Sequence, residues 1–101
     1  MKLYGQLVTG APGAGKTTYC SGLITILKTI KRPFVTINLD PANDMIPFKP
    51  DIDIRELISV EYVMQKLGLG PNGALRYCMQ TLSMNLNWLI FRLLRCNYFL
   101  K

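Results

Sequence analysis

Gly10-Ala11-Pro12-Gly13-Ala14-Gly15-Lys16-Thr17 decides how the rest of this chain is read. The stretch fills every fixed position of the pattern G-x-x-x-x-G-K-[ST]. Glycines let the backbone turn tightly and bring consecutive N–H groups against phosphate oxygens, and a following helix N-terminus adds partial positive charge. Lys16 is spaced to reach the β- and γ-phosphates, an attraction of about 4 kcal/mol for charges about 4 Å apart at an effective dielectric near 20. The Thr17 hydroxyl is a hard oxygen suited to Mg²⁺. Gly13, Ala14, Gly15, Lys16, Thr17 and Thr18 are therefore candidate nucleotide-binding residues. The competing reading is a glycine-rich turn that caps a helix and carries a surface lysine.

The flanks favour the first reading. Leu3 to Thr9 has the β-branched and apolar character of a short strand. After the loop, Tyr19, Cys20, Leu23, Ile24, Leu27 and Ile30 recur at steps of three and four, which predicts a helix with one buried face. Lys31-Arg32-Pro33 ends it, since proline disfavours helix in the residue before it. Phe34 to Leu39 then alternates like a second strand and stops at Asp40-Pro41-Ala42. Strand, loop, helix, strand is the order of a parallel pair joined by a right-handed crossover, with ligands at the carboxyl ends of the strands. Asp40 is accordingly a candidate to hold a Mg²⁺-bound water or orient an attacking one, and so counts with Lys16 among the catalytic candidates. It also reads as an ordinary Asp-Pro turn initiator.

Further along, Asn43 to Asp51 contains Pro47 and Pro50 and predicts a loop. Asp53-Ile-Arg-Glu56 has the spacing of a capping box and predicts a short helix through Ile58. A second helix runs from Ser59 to about Leu67, closed by Gly68 and Gly70. Gly70-Pro71-Asn72-Gly73 predicts a turn. Beyond it, Leu75, Met79, Leu82, Leu86, Leu89, Leu93 and Leu94 form one stripe of a helix reaching about Arg95, and Asn97 to Leu100 looks like the start of another strand. The fold class expected is α/β, a P-loop parallel sheet flanked by helices and shortened to two or three strands.

Composition narrows the alternatives. The chain has 101 residues, 50% hydrophobic, with 12 basic and 6 acidic residues and a formal net charge of +6. Its mean hydropathy is +0.20. That is apolar for a domain this small, which buries little, and implies surface meant for further chain. Arg92 and Arg95 interrupt the richest apolar run, well short of the roughly 20 residues a membrane helix needs, and no secretory h-region is visible. The basic residues form no block, so direct nucleic-acid binding is not expected. Cys20, Cys78 and Cys96 are scattered and there is no histidine, which argues against metal clusters and disulfides and for a reducing cytoplasmic setting.

Asn38-Leu39-Asp40-Pro41-Ala42-Asn43, Asp53-Ile-Arg-Glu-Leu57 and Leu69-Gly70-Pro71-Asn72-Gly73 stand in order after the phosphate loop, followed by Tyr77-Cys78-Met79 and Asn85-Leu-Asn-Trp88. Together they resemble the GPN-loop GTPases over nearly the whole chain, most like the second eukaryotic subgroup, while Asp53-Ile-Arg-Glu-Leu57 is also similar to the third. The resemblance implies a Mg²⁺-dependent GTP-hydrolysing homodimer or heterodimer in which Gly70-Pro71-Asn72 enters the other subunit's site and Asn72 contacts phosphate. It also implies a link to RNA polymerase II assembly factors and shuttling from cytoplasm to nucleus. Family members continue into an Asp-x-Pro-Gly segment and a guanine-selecting Asn/Thr-Lys-x-Asp segment that this sequence lacks. Gln80 and Asn87 stand where the family tends to be acidic. Residues 1–101 thus read as the N-terminal part of a single GTPase domain, not expected to hydrolyse GTP by itself. Two alternatives remain: a noncatalytic truncated isoform or adaptor, and, on the loop sequence, an adenylate-kinase-like phosphotransferase.

Overall fold

In a computed structural model of the chain, residues 5–10, 15–42 and 46–96 are described. They fall into two compact units, Met1–Pro33 with Ile46–Phe48, and Phe34–Met45 with Lys49–Lys101.

The first unit is built on helix α1, Lys16–Thr29. Gly15 enters it with φ 86°, a left-handed conformation that glycine adopts without Cβ penalty. Cys20, Leu23, Ile24 and Leu27 are half-buried along one face, but Tyr19 and Ile30 are exposed and no residue of α1 is fully buried. The expected apolar face is therefore only partly covered. The helix stops earlier than proline would force. The N–H of Arg32 donates to the Leu27 carbonyl (2.9 Å) and that of Lys31 to Lys28 (3.1 Å), with Lys31 at φ 57°. This is a Schellman closure with lysine where glycine is preferred. The strand expected over Leu3–Thr9 is not seen: residues 5–9 carry no strand, and Leu7 is 80% exposed. Strand character alone makes no ladder without a neighbour to bond.

In the second unit, β1 (Ile37–Asn38) pairs in parallel with β2 (Ile52–Asp53), in the register Ile37 to Ile52 and Asn38 to Asp53. The parallel pairing was expected, but not these partners. The strand expected over Phe34–Leu39 shrinks to two residues, and its neighbour comes from after the proline-containing loop. Asp51 makes that join, its carboxylate accepting from the backbone N–H (2.8 Å) and hydroxyl (3.1 Å) of Thr36. A 3-10 turn, Ile54–Glu56, follows, capped by Asp53, which accepts from the N–H of Arg55. Helix α2 spans Val60–Leu67, with Ser59 Oγ accepting from the N–H of Tyr62 and Gly68 closing it at φ 67°.

Helices α3 (Pro71–Met84) and α4 (Leu86–Leu94) replace the single helix expected to reach Arg95. Asn85 breaks it: its backbone leaves helical geometry (φ −127°, ψ 35°), and its Nδ2 donates to the Thr81 carbonyl at 2.7 Å. Asparagine competes with the backbone in this way. The buried stripe of α3 is Ala74 and Cys78, whereas Leu75, Met79, Leu86 and Leu94 of the expected stripe are exposed. Small residues let α3 lie close on α2, and Ala74 and Cys78 pack with Val60 and Val63, flanked by Ile58 and Met64. Burial pushes the Cys78 thiol up, so it stays protonated as a small apolar group. Arg92 ties α4 to the sheet, its Nη2 donating to the Asp51 carbonyl (3.1 Å) and to Glu56 Oε1 (3.0 Å). The strand expected at Asn97–Leu100 lies outside the described residues.

Candidate functional site

The phosphate-loop candidates belong to the first unit. Gly13 and Ala14 lie outside the described residues. Gly15 provides the left-handed turn into α1, and the N–H of Tyr19 donates to its carbonyl at 2.9 Å. Lys16, half-buried, turns its Nζ back to donate to the Gly10 carbonyl. Thr17 and Thr18 stand in the first helical turn. The N-cap of α1 makes no side-chain hydrogen bond and its first turn has no acidic residue, so no carboxylate in that turn offsets the partial positive charge of the helix N-terminus. A glycine-shaped entry, a lysine and a helix N-terminus without acidic residues are the parts of an anion-binding geometry.

Asp40 belongs to the second unit, two residues past β1. It is exposed, and its Oδ1 accepts the Ala42 N–H at 3.0 Å. That is the turn-initiating role, realised. It uses one carboxylate oxygen, and among the described residues the other has no hydrogen-bond partner. The Pro41 residue behind it is buried and its carbonyl accepts from the N–H of Val60 (3.1 Å).

A polar network that the sequence reading did not single out surrounds this turn. Asn38 is only 9% exposed. Its Nδ2 donates to Asp53 Oδ1 (3.0 Å) and to the Asp40 carbonyl (3.1 Å), and its Oδ1 accepts the Asp40 N–H (3.2 Å). Asp53 in turn accepts from Arg55 Nη2 (2.7 Å), Nε and backbone N–H. Burial alone would raise the Asp53 carboxyl, but the Arg55 guanidinium, the Arg55 N–H and the Asn38 amide outweigh it and hold the group below its ordinary range. One trace was visible in sequence: Asn38 is a polar residue among Phe34, Val35, Ile37 and Leu39.

Gly70, Pro71 and Asn72 do not form the free turn expected of them. Gly70 is the N-cap of α3 (φ −72°, ψ 173°) and Pro71 its first residue, where the missing N–H costs nothing. Asn72 is thereby fixed in the first helical turn, exposed, its side chain without a hydrogen bond among the described residues. Like α1, this helix has no side-chain cap and no acidic residue in its first turn.

For Mg²⁺, the donor types fit. The ion takes one or two protein oxygens beside phosphates and water, and the Thr17 hydroxyl and the open Asp40 oxygen are hard donors of that kind. Among the described residues no three His, Cys, Asp or Glu side chains converge on a metal position, nor is any helix long and apolar enough to cross a membrane.

A parallel α/β arrangement with a lysine-bearing glycine loop opening a helix defines the class of P-loop proteins. Residues 8–100 match the family model described as a conserved hypothetical ATP binding protein. The chain is 49% identical to GPN-loop GTPase QQT1 of Arabidopsis thaliana over 86% of its length, covering 29% of that protein. It is 48% identical to the GPN-loop GTPase 2 homolog of Dictyostelium discoideum over 90%, covering 29%, and 51% identical to GPN-loop GTPase 3 of Aspergillus fumigatus over 88%, covering 30%. The crystal structure of a GTPase in apo form from Pyrococcus abyssi aligns with 82% of this chain and 33% of its own, at TM-score 0.67 and 32% identity. The chain belongs to the GPN-loop GTPase family, and spans about 30% of the length of the curated relatives it matches.

Proposed function

We propose that this chain supplies the triphosphate-binding part of a GTP-hydrolysing dimer. The observation that carries the reading is the Gly10–Thr17 pattern leading, through a left-handed Gly15, into a helix N-terminus without acidic residues. Lys16 would neutralise the β- and γ-phosphates. Thr17 would hold Mg²⁺ at the phosphate loop, and a part for Asp40 on the ion or its water comes from the family resemblance alone. A bound Mg²⁺ would supply positive charge to offset what builds on the phosphates in phosphoryl transfer, with the Thr17 hydroxyl as its donor at the loop. Asn72 would donate its amide to phosphate across a dimer, an addition to oxyanion stabilisation. Its exposed place after Pro71 supports that role. Guanine preference, RNA polymerase II assembly and movement between cytoplasm and nucleus come to this chain from the family resemblance.

The exposed Leu86, Ile90, Phe91 and Leu94 of α4 favour a second reading, a noncatalytic adaptor that covers this face on a partner. Phosphate release from Mg²⁺·GTP separates the two. Catalysis predicts turnover that falls about 100-fold in Asn72→Ala and rises with the square of protein concentration while dimers are scarce. The adaptor predicts nucleotide binding or none, with no turnover. Phosphate transfer to added AMP instead of water would point to the adenylate-kinase-like reaction.

A further inference from the structure

We propose that Tyr19 is a positioning residue for the phosphate loop: its hydroxyl, bonded to Gln6, holds the chain entering the loop against the helix leaving it. This rests on the triphosphate reading given above, and every residue it uses belongs to the first unit.

Residues 5–9, which lead into the loop, carry no strand and, among the described residues, make no backbone–backbone hydrogen bond. Side chains of α1 hold this limb instead. Tyr19 Oη donates to Gln6 Oε1 at 2.7 Å, and Lys16 Nζ donates to the Gly10 carbonyl. Positions 16 and 19 are three apart and so neighbours on one helix face, which sends both ties from the start of α1 to the same limb. The N–H of Tyr19 also donates to the Gly15 carbonyl at 2.9 Å. Tyr19 is thereby bonded on both sides of the loop, to Gly15 through its backbone and to Gln6 through its side chain.

The two ties differ in what phosphate does to them. Lys16 carries the charge that phosphate draws, and on the reading above its ammonium turns from the Gly10 carbonyl to the β- and γ-phosphates. The Tyr19 phenol is neutral and spends its one proton on the Gln6 amide, so its bond persists while the loop is occupied. Without that bond the entering limb has to be ordered each time phosphate binds, and the ordering is subtracted from affinity. Packing does not account for the residue: Tyr19 is 51% exposed, on a face that the apolar spacing marks as inward.

The test uses the full chain as wild type, Tyr19→Phe, Gln6→Ala, the double variant and Lys16→Ala. Each is titrated with a fluorescent GTP analogue and Mg²⁺, and competed with inorganic tripolyphosphate, which has neither base nor ribose. Tyr19→Phe and Gln6→Ala should each weaken both ligands about fivefold, the size of one neutral hydrogen bond. The double variant should lose the same fivefold and no more, because one bond is missing in all three. Amide exchange at Leu23 and Ile24 of α1 should match wild type. Single losses that multiply in the double variant, or no loss in Tyr19→Phe where Lys16→Ala does weaken binding, overturn the positioning role and leave the triphosphate reading standing. Faster exchange at Leu23 and Ile24 in Tyr19→Phe makes the bond a general support of α1 and also overturns it. A weakened GTP analogue with unchanged tripolyphosphate puts Tyr19 on the nucleoside, which overturns it as well. If wild type binds neither ligand, or binds them regardless of Lys16→Ala, the triphosphate reading itself falls, and the proposal with it.

Discussion

Replacing Asp53 by asparagine removes one charge and almost no volume. The neutral side chain keeps an oxygen for the Arg55 N–H and the Asn38 amide, but loses the ion pair with Arg55, whose Nη2 lies 2.7 Å from Oδ2. The two side chains are 31% and 14% exposed. Screening is therefore weaker than at a surface pair, worth about 0–1 kcal/mol, though water still reaches the guanidinium. Hydrogen bonds to charged groups contribute about 1.5–3 kcal/mol net, so after screening we expect about 1.5 kcal/mol at pH 7. Trp88, the sole tryptophan, belongs to the same unit and reports its unfolding in urea. At about 1.5 kcal/mol per molar, the midpoint of Asp53→Asn should fall by about 1 M. The Asp53 carboxyl is held below its ordinary carboxylate range in the folded chain, so the unfolded state binds the proton more tightly. The stabilisation is complete above the unfolded value and fades as pH falls through the folded one. The gap between wild type and Asp53→Asn should accordingly close below about pH 4. A gap that persists unchanged at low pH, or none at pH 7, would refute the claim that the ion pair holds this turn.

Lys31 sits at φ 57° in the closure of α1; Lys31→Gly should relieve about 1 kcal/mol of strain, read as a rise in melting temperature. Gly68, at φ 67° after α2, predicts the reverse: Gly68→Ala should lower stability by about 1 kcal/mol in the same assay. Ile54, the first residue of the 3-10 turn, is fully buried, and Ile54→Ala should lose about 2–5 kcal/mol by urea unfolding.

Local chemistry was legible in the sequence wherever a residue type dictates a backbone state. Ser59 and Gly68 set both ends of α2, and Gly15 the entry to α1. Pairing was not legible. Ile52–Asp53 looks like a helix start because Asp53 does cap the 3-10 turn, and nothing local reveals that the same residue also lies beside Asn38. The leucine stripe misled for a related reason: spacing reports which residues share a face, whereas the small Ala74 and Cys78 determine which face another helix can approach. Asp40 was legible as a candidate and as a turn residue, and the structure gives each carboxylate oxygen a different situation. The hold on it through Asn38 needed three dimensions.

The central claim is that the Gly10–Thr17 loop and the α1 N-terminus hold triphosphate. The most direct measurement is titration of the chain with a fluorescent GTP analogue and Mg²⁺, with unlabelled GTP and ATP as competitors and Lys16→Ala as the comparison. The account predicts saturable binding that Lys16→Ala weakens by roughly a hundredfold or more, the equivalent of about 3 kcal/mol from a lysine on two phosphates. Binding indifferent to Lys16→Ala, or none in a chain whose Val63 and Cys78 amides remain protected, would contradict it.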